Sequence, residues 1–292
     1  LIQNLMNLQP DEEIYQEVVS TILESRNYAK NDKGKILNAL VNYAKYGKES
    51  RATDVISKDE LMKISCSTIT QKVNDILSYP FDIFFYGKEV GAFRDTVQDL
   101  IPTLSKEIPA PKVYPENPTL GQVYFTEYDM VQTEMMKVGQ SVLVNPYDFG
   151  KVNVFNEYFG RGLSSIVFQE LRESRSLAYS AYVSYSASSE IDTHNYVFSY
   201  IGTQPDKLTQ ANEAIKDLLK DFPNIPQQFE NAKSTMLKQI ASGRINRQNI
   251  FFKHYNLLKL GVNHDLRKDL YEQIQNLTWD NFFEFYKTQV QN

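Results

Sequence analysis

Four prolines stand within the eleven residues Ile108-Pro109-Ala110-Pro111-Lys112-Val113-Tyr114-Pro115-Glu116-Asn117-Pro118. No helix interior or central strand tolerates that density of fixed φ angles and missing N–H donors, so the segment reads as a semi-extended linker. It divides the chain into a leading part, 1–107, and a longer trailing part, 119–292. At 292 residues there is enough chain for two domains, each with its own apolar core.

The leading part is patterned for helices. Ile14, Val18 and Ile22 recur at helical spacing between Asp11 and Lys30, with acidic residues first and basic ones last, as the helix dipole favours. A second helix is predicted over 33–46, stopped by Gly47, and Ser57-Lys58-Asp59-Glu60 is a capping box that opens a third running to Leu77. Phe81 to Tyr86 reads as a buried strand closed by Gly87, and Gly91 to Ser105 as a helix. In the trailing part, strands are predicted over 122–126, 131–138, 181–186 and 196–201. Helices are predicted from Asp148 to a glycine turn, after that turn, from Pro205 through Leu219, and over 227–241, 246–260 and 278–290. Strands followed by a run of helices argue for an α+β fold: layered domains with helices packed on one face of a mostly antiparallel sheet.

Composition removes several classes of function. A net charge of −5 with scattered Lys and Arg disfavours nucleic acid as partner. No segment approaches the ~20 apolar residues of a membrane span. A single cysteine, Cys66, gives neither a disulfide framework nor a multi-cysteine metal site and reads as a small buried residue on a helix. The chain starts Leu1-Ile2-Gln3-Asn4, without initiator methionine or signal-peptide pattern, and reads as an excised piece of a longer protein whose compartment it does not reveal.

The densest information lies in Gly160-Arg161-Gly162-Leu163-Ser164-Ser165-Ile166-Val167-Phe168-Gln169-Glu170-Leu171-Arg172-Glu173, followed by Leu177-Ala178-Tyr179-Ser180. Gly160 and Gly162 flank a turn that calls for positive φ, and Ser164 or Ser165 can cap the helix behind it. A phosphate cradle does not fit, because the Walker lysine and the third dinucleotide glycine are missing and a helix precedes the turn. Arg172 and Tyr179 offer five fixed donors and one phenolic donor, suited to a carbonyl or oxyanion; in isolation the same pair also reads as a solvated helix-end arginine and a core tyrosine. Glu170 and Glu173 read as a charged helix face. His254 and His264 lack a third ligand at helical spacing, and His194 reads as an exposed loop residue.

The run from Asn156 to Tyr179 resembles the carboxy-terminal half of the pitrilysin/insulinase family of zinc peptidases, also called inverzincins. The likeness extends to Phe155-Asn156-Glu157-Tyr158-Phe159, to Gly202-Thr203-Gln204, to Val131-Gln132-Thr133-Glu134 and to Phe84-Phe85-Tyr86-Gly87. Arg161 stands where relatives often carry glycine. The family's H-x-x-E-H zinc motif is absent from this chain.

The resemblance implies an insulinase/mitochondrial-processing-peptidase-like fold, with 1–107 the end of a third domain and 119–292 a complete fourth in a four-domain zinc endopeptidase. It implies no cofactor in this chain, zinc in an amino-terminal half of the same polypeptide or in a partner subunit, and unstructured peptides as substrates. Arg172 and Tyr179 match the arginine and tyrosine that reach the scissile bond, while Gly160, Gly162, Ser164 and Ser165 form the structural turn. The family also contains non-catalytic assembly proteins, so a scaffold with the same fold is the alternative.

Overall fold

Helix α1, Glu12–Ala29, begins where the Asp11 carboxylate accepts the Ile14 N–H at 3.1 Å, and α2, Lys33–Tyr46, begins likewise at Asp32, whose Oδ1 accepts from Lys35 N at 3.0 Å. The coordinates are a computed structural model that describes residues 7–76, 78–98, 106–118 and 121–291. The chain divides into two compact units, Leu1–Asn117 and Pro118–Asn292.

In the first unit the capping box forms as expected: Glu60 N donates to Ser57 Oγ at 3.2 Å and Ser57 N to Glu60 Oε2 at 2.9 Å. The helix it opens is shorter than the sequence suggests. α3 spans Lys58–Lys63, Ile64 turns extended, and a new helix, α4, Cys66–Ile76, starts where Ser65 Oγ accepts from Thr68 N at 3.2 Å. A second serine cap thus breaks what apolar periodicity alone joins, and Leu77 lies outside the described residues. Cys66 is half-buried at the start of α4.

Phe81 to Tyr86 is not a strand, nor is 122–126. Aromatic and β-branched residues favour a pleated surface only where a neighbouring strand supplies the ladder, and among the described residues neither segment has one. Helix α5 spans Val90–Gln98; the remainder of the helix predicted to Ser105 lies outside the described residues. The proline-rich segment is irregular and held by contacts within its own unit: Lys112 Nζ lies 2.7 Å from Asp54 Oδ2, the Tyr114 hydroxyl donates to the same carboxylate, and Asn117 N donates to Lys45 O at 2.6 Å.

The second unit holds a three-stranded antiparallel sheet in the order β1-β3-β2, formed by β1, Thr133–Leu143, β2, Ser180–Ser186, and β3, His194–Thr203. Gly202 pairs with Glu134 on one side and Ser180 on the other, and Phe198 pairs with Val138 and Ser184. His194 opens β3 half-buried, rather than sitting exposed in the hairpin loop. Alternation sends Ala181, Val183 and Tyr185 of β2 and Ile201 of β3 to the face covered by helices.

Those helices are α6, Phe149–Phe155, extended by a π-helical turn Asn156–Gly160; α7, Ile166–Phe168, extended by a π-helical Gln169–Ser174; α8, Leu208–Lys220; α9, Pro226–Ser242; α11, Arg267–Gln275; and α12, Trp279–Gln289, while α10, Ile250–Leu258, packs beside a separate small cluster of Val144, Leu260, Val262 and Leu266. Val154, Phe155, Tyr158, Phe159, Val167 and Leu171 are fully buried, and each large side chain is worth roughly 1.5–3 kcal/mol of apolar burial. The Tyr158 hydroxyl donates to Pro223 O at 2.6 Å and accepts from Ile225 N at 3.1 Å, so its polar tip is satisfied where its ring meets Phe229 and Phe282. α11 escapes the sequence reading because it buries only Ile274 fully, too little apolar periodicity to signal a helix.

Candidate functional site

The site begins at the outer edge of β2. The Asn156 side chain accepts the Tyr185 N–H and donates to the Tyr185 carbonyl, each at 2.9 Å, taking the place of a further strand. One turn on, Gly160 lies so close to β2 that a Cβ there would stand 1.7 Å from the Val183 carbonyl oxygen. The π geometry closes with Arg161 N donating to Asn156 O at 2.6 Å.

The turn then reverses the chain. Gly162 has φ of +89° with open space around it, whereas Gly160 is not in the left-handed region. The expectation of positive φ therefore holds for Gly162 alone, and Gly160 is required by close approach instead. Of the two candidate caps, Ser165 acts: it is fully buried, its Oγ accepts from Phe168 N at 3.4 Å and donates to Gly162 O at 2.9 Å. Ser164 is exposed and offers its carbonyl to the Gln228 amide.

Helix α7 anchors itself by Ile166, Val167 and Leu171 and turns the opposite face to solvent. Its last turn places Arg172 with 48% of the side chain exposed, the guanidinium 4.9 Å from the Phe168 ring centre and Nε 3.7 Å from Glu173 Oε1. Among the described residues, the guanidinium makes no hydrogen bond. Ser176, at φ of +49°, folds the chain back so that the Leu171 carbonyl accepts both Leu177 N (2.7 Å) and Ala178 N (3.3 Å). The backbones that carry Arg172 and Tyr179 are thereby tied together through the residue preceding each.

Tyr179 sits at the mouth of β2, its N–H on Gly202 O at 2.9 Å and the residue 52% exposed. Its hydroxyl accepts a hydrogen bond from Gln204 Nε2 at 2.9 Å. A phenol oxygen that is already accepting keeps its own O–H proton for another acceptor. The pair is thus two solvent-facing donor groups at one end of the sheet.

The remaining sequence candidates are not drawn in. Glu170 pairs with Arg175 at 3.2 Å, and His264 Nε2 lies 2.7 Å from Asp269. Among the described residues no three His, Cys, Asp or Glu side chains meet as a metal site, so the residues present do not fit zinc. On the sheet, Tyr182 and Tyr200 stack at 5.1 Å; burial and the neighbouring Glu134 carboxylate push the Tyr200 phenol up to about 12, and burial raises Tyr182 against the opposing Arg161 charge. Phe168 and Gln204 are the residues whose roles the sequence reading missed. The four-residue spacing of Phe168 and Arg172 on one helix face was a usable signal; Gln204 reaches Tyr179 across 25 residues, with no local signature.

A family model described as the peptidase M16 inactive domain matches residues 81–236, more than half of the chain. The chain belongs to this family. Its M16 fold is shared with solved structures at low sequence identity: a protease from Helicobacter pylori (TM-score 0.71, 13% identity, 98% of this chain and 74% of that one) and the peptidase M16 inactive domain from Pseudomonas fluorescens (TM-score 0.66, 14% identity, 98% and 70%). The periplasmic protease PqqL from Escherichia coli matches with TM-score 0.68 and 13% identity over 96% of this chain, which spans only 32% of that protein. No curated protein sequence matches the chain. The M16 assignment agrees with the α+β architecture of helices on a small antiparallel sheet and with the missing H-x-x-E-H motif.

Proposed function

We propose that this M16 inactive domain is the non-zinc, carboxy-terminal half of a zinc endopeptidase, with 1–107 the end of a third domain, 108–118 a linker and 119–292 a complete fourth; the division into two compact units near residue 117 supports this reading. The amino-terminal half, on the same polypeptide or a partner subunit, holds the metal. This half helps to enclose an unstructured peptide and turns Arg172 and Tyr179 toward the scissile bond.

The observation that carries the reading is the direction of the bond from Gln204 to Tyr179. With its oxygen already accepting, the Tyr179 hydroxyl donates its proton to the substrate carbonyl oxygen and holds it more strongly as negative charge develops there. Arg172, steadied by the Phe168 ring, presents its terminal N–H groups to the same oxygen or to the neighbouring peptide carbonyl.

The test is cleavage of a quenched fluorescent peptide by the intact parent and its Tyr179→Phe variant, each with zinc and with chelator. Chelator-sensitive cleavage whose kcat falls about a hundredfold in the variant, with KM little changed, is the expected result. An unchanged kcat removes Tyr179 from the chemistry. A parent that cleaves nothing, with or without zinc, replaces the enzyme reading by that of a scaffold with the same fold.

A further inference from the structure

Between Glu230 and Asp265 the sequence contains six Lys and Arg and no Asp or Glu, in a chain whose net charge is −5. That stretch includes α10, Ile250–Leu258, of sequence IFFKHYNLL, which has no buried residue. Leu257 turns inward and packs beside the small cluster of Val144, Leu260, Val262 and Leu266. On the opposite side, helical geometry gathers Leu258, Phe251, Tyr255 and Phe252 in an arc of about 120°. Phe252 is 61% exposed and Leu258 47%, with Tyr255 exposed beside them. The arc is continued by Ile191 at the tip of the β2–β3 hairpin, exposed and tied by its N–H to Lys259 O at 3.0 Å.

We propose that this face is a docking surface for an anionic phospholipid bilayer, on which α10 lies flat with its aromatic arc at headgroup depth. The placement of Lys259 selects this occupant. At 100° per residue it falls inside the arc, between Tyr255 and Phe252, with its ammonium 5.1 Å from the centre of the Tyr255 ring. In a dry protein interface that charge would have to be desolvated together with the rings. At a lipid surface the rings enter the interfacial layer while the ammonium reaches a phosphate, the arrangement that amphipathic basic helices use. Arg244 and Arg247 precede the helix and Lys253 lies on it; Lys253 acts on the Asp265 carboxylate, and Glu190 and Asp192 flank Ile191. The attractive charge therefore centres on Lys259 and Arg244, which makes the attachment weak, reversible and salt-sensitive.

The experiment is co-sedimentation of the full chain with phosphatidylcholine vesicles and with vesicles carrying about 30% phosphatidylglycerol, at low and at about 0.5 M salt. Phe252→Glu and Lys259→Glu are run alongside, with thermal unfolding to establish that both variants fold. Retention on the anionic vesicles only, loss at high salt and a drop of roughly tenfold in each variant are expected. Failure of the wild-type chain to bind anionic vesicles at low salt overturns the proposal in favour of an acidic protein partner. Binding that both folded variants retain at full strength overturns it too, because α10 is then not the surface used.

Discussion

The side-chain amide of Asn156 closes both backbone groups of Tyr185, its Nδ2 donating to the carbonyl and its Oδ1 accepting from the N–H, each at 2.9 Å. One helical side chain thereby ends a sheet that would otherwise present an open edge, and it fixes the height at which α6 and the glycine turn meet β2. Removing it leaves two partly buried backbone groups without partners. Asn156→Leu is expected to cost about 2 kcal/mol in urea unfolding and to raise aggregation at high concentration. An unfolding midpoint equal to that of the wild-type chain would show that solvent satisfies this edge instead.

Gly160 and Gly162 separate in the same assay. A Cβ at Gly160 meets the Val183 carbonyl with no flexible side chain to yield, so Gly160→Ala is expected to cost about 3 kcal/mol or more. At Gly162 the surroundings are open and only the backbone angle resists, so Gly162→Ala should cost about 1 kcal/mol. The reverse order of the two midpoints would contradict the close approach of helix and strand.

Gln204 hydrogen-bonds the Tyr179 hydroxyl and Phe168 lies under the Arg172 guanidinium, so on the proposed role of the pair these two residues position it. Gln204→Leu removes the donor to the Tyr179 oxygen while leaving the phenol, and Phe168→Leu removes the ring under the Arg172 guanidinium. On the proposed peptidase activity of the parent, each should lower kcat by about tenfold, less than loss of the donor itself, with KM moved less. Rescue of the first defect by Gln204→Asn or Gln204→His, which restore a donor, distinguishes alignment of the phenol from general loosening; failure of both to rescue argues against it.

Stability should fall at alkaline pH through two tyrosines. Burial pushes Tyr286 up to about 12, and burial with the Glu134 charge does the same for Tyr200. Both folded values lie above that of an unfolded phenol near 10, so their contribution is fully present below about pH 10 and is lost as pH rises toward 12, while only the unfolded chain releases its protons. The slope for the buried Tyr286 is about 1.4 kcal/mol per pH unit in that window. Tyr286→Phe should lose about 1 kcal/mol at neutral pH, with the bond to Leu219 O, and show a shallower alkaline decline. Parallel alkaline curves for the two proteins would exclude Tyr286 as a source of the decline.

The helices of the trailing part were legible where one stripe is apolar, as in α8 with Ala211, Ile215 and Leu218, and the short strands where side chains alternate, as from Ala181 to Tyr185. Within the Asn156–Tyr179 run the glycine turn and a serine cap behind it were legible, because both rest on local chemistry; which glycine turns left-handed and which serine caps were not. α11 was hidden by its polar composition, and the break between α3 and α4 by apolar periodicity that crosses it. Phe81–Tyr86 has strand propensity yet forms no strand, because that propensity is a preference for a neighbour, which a one-dimensional pattern cannot supply.

By itself the sequence determined what depends on spacing: the capping box at Ser57, the glycine turn ahead of a serine-capped helix, the α+β class and the family. Tertiary structure alone decided what depends on segments far apart in the chain. It set Gly160 against Val183, gave Asn156 the work of a missing strand, and placed the Gln204 amide on the Tyr179 oxygen, which leaves the hydroxyl proton to another acceptor. The physical reason is that a local motif fixes backbone angles within a few bonds, whereas the direction of a hydrogen bond between distant residues is fixed only once packing has brought both partners within about 3 Å.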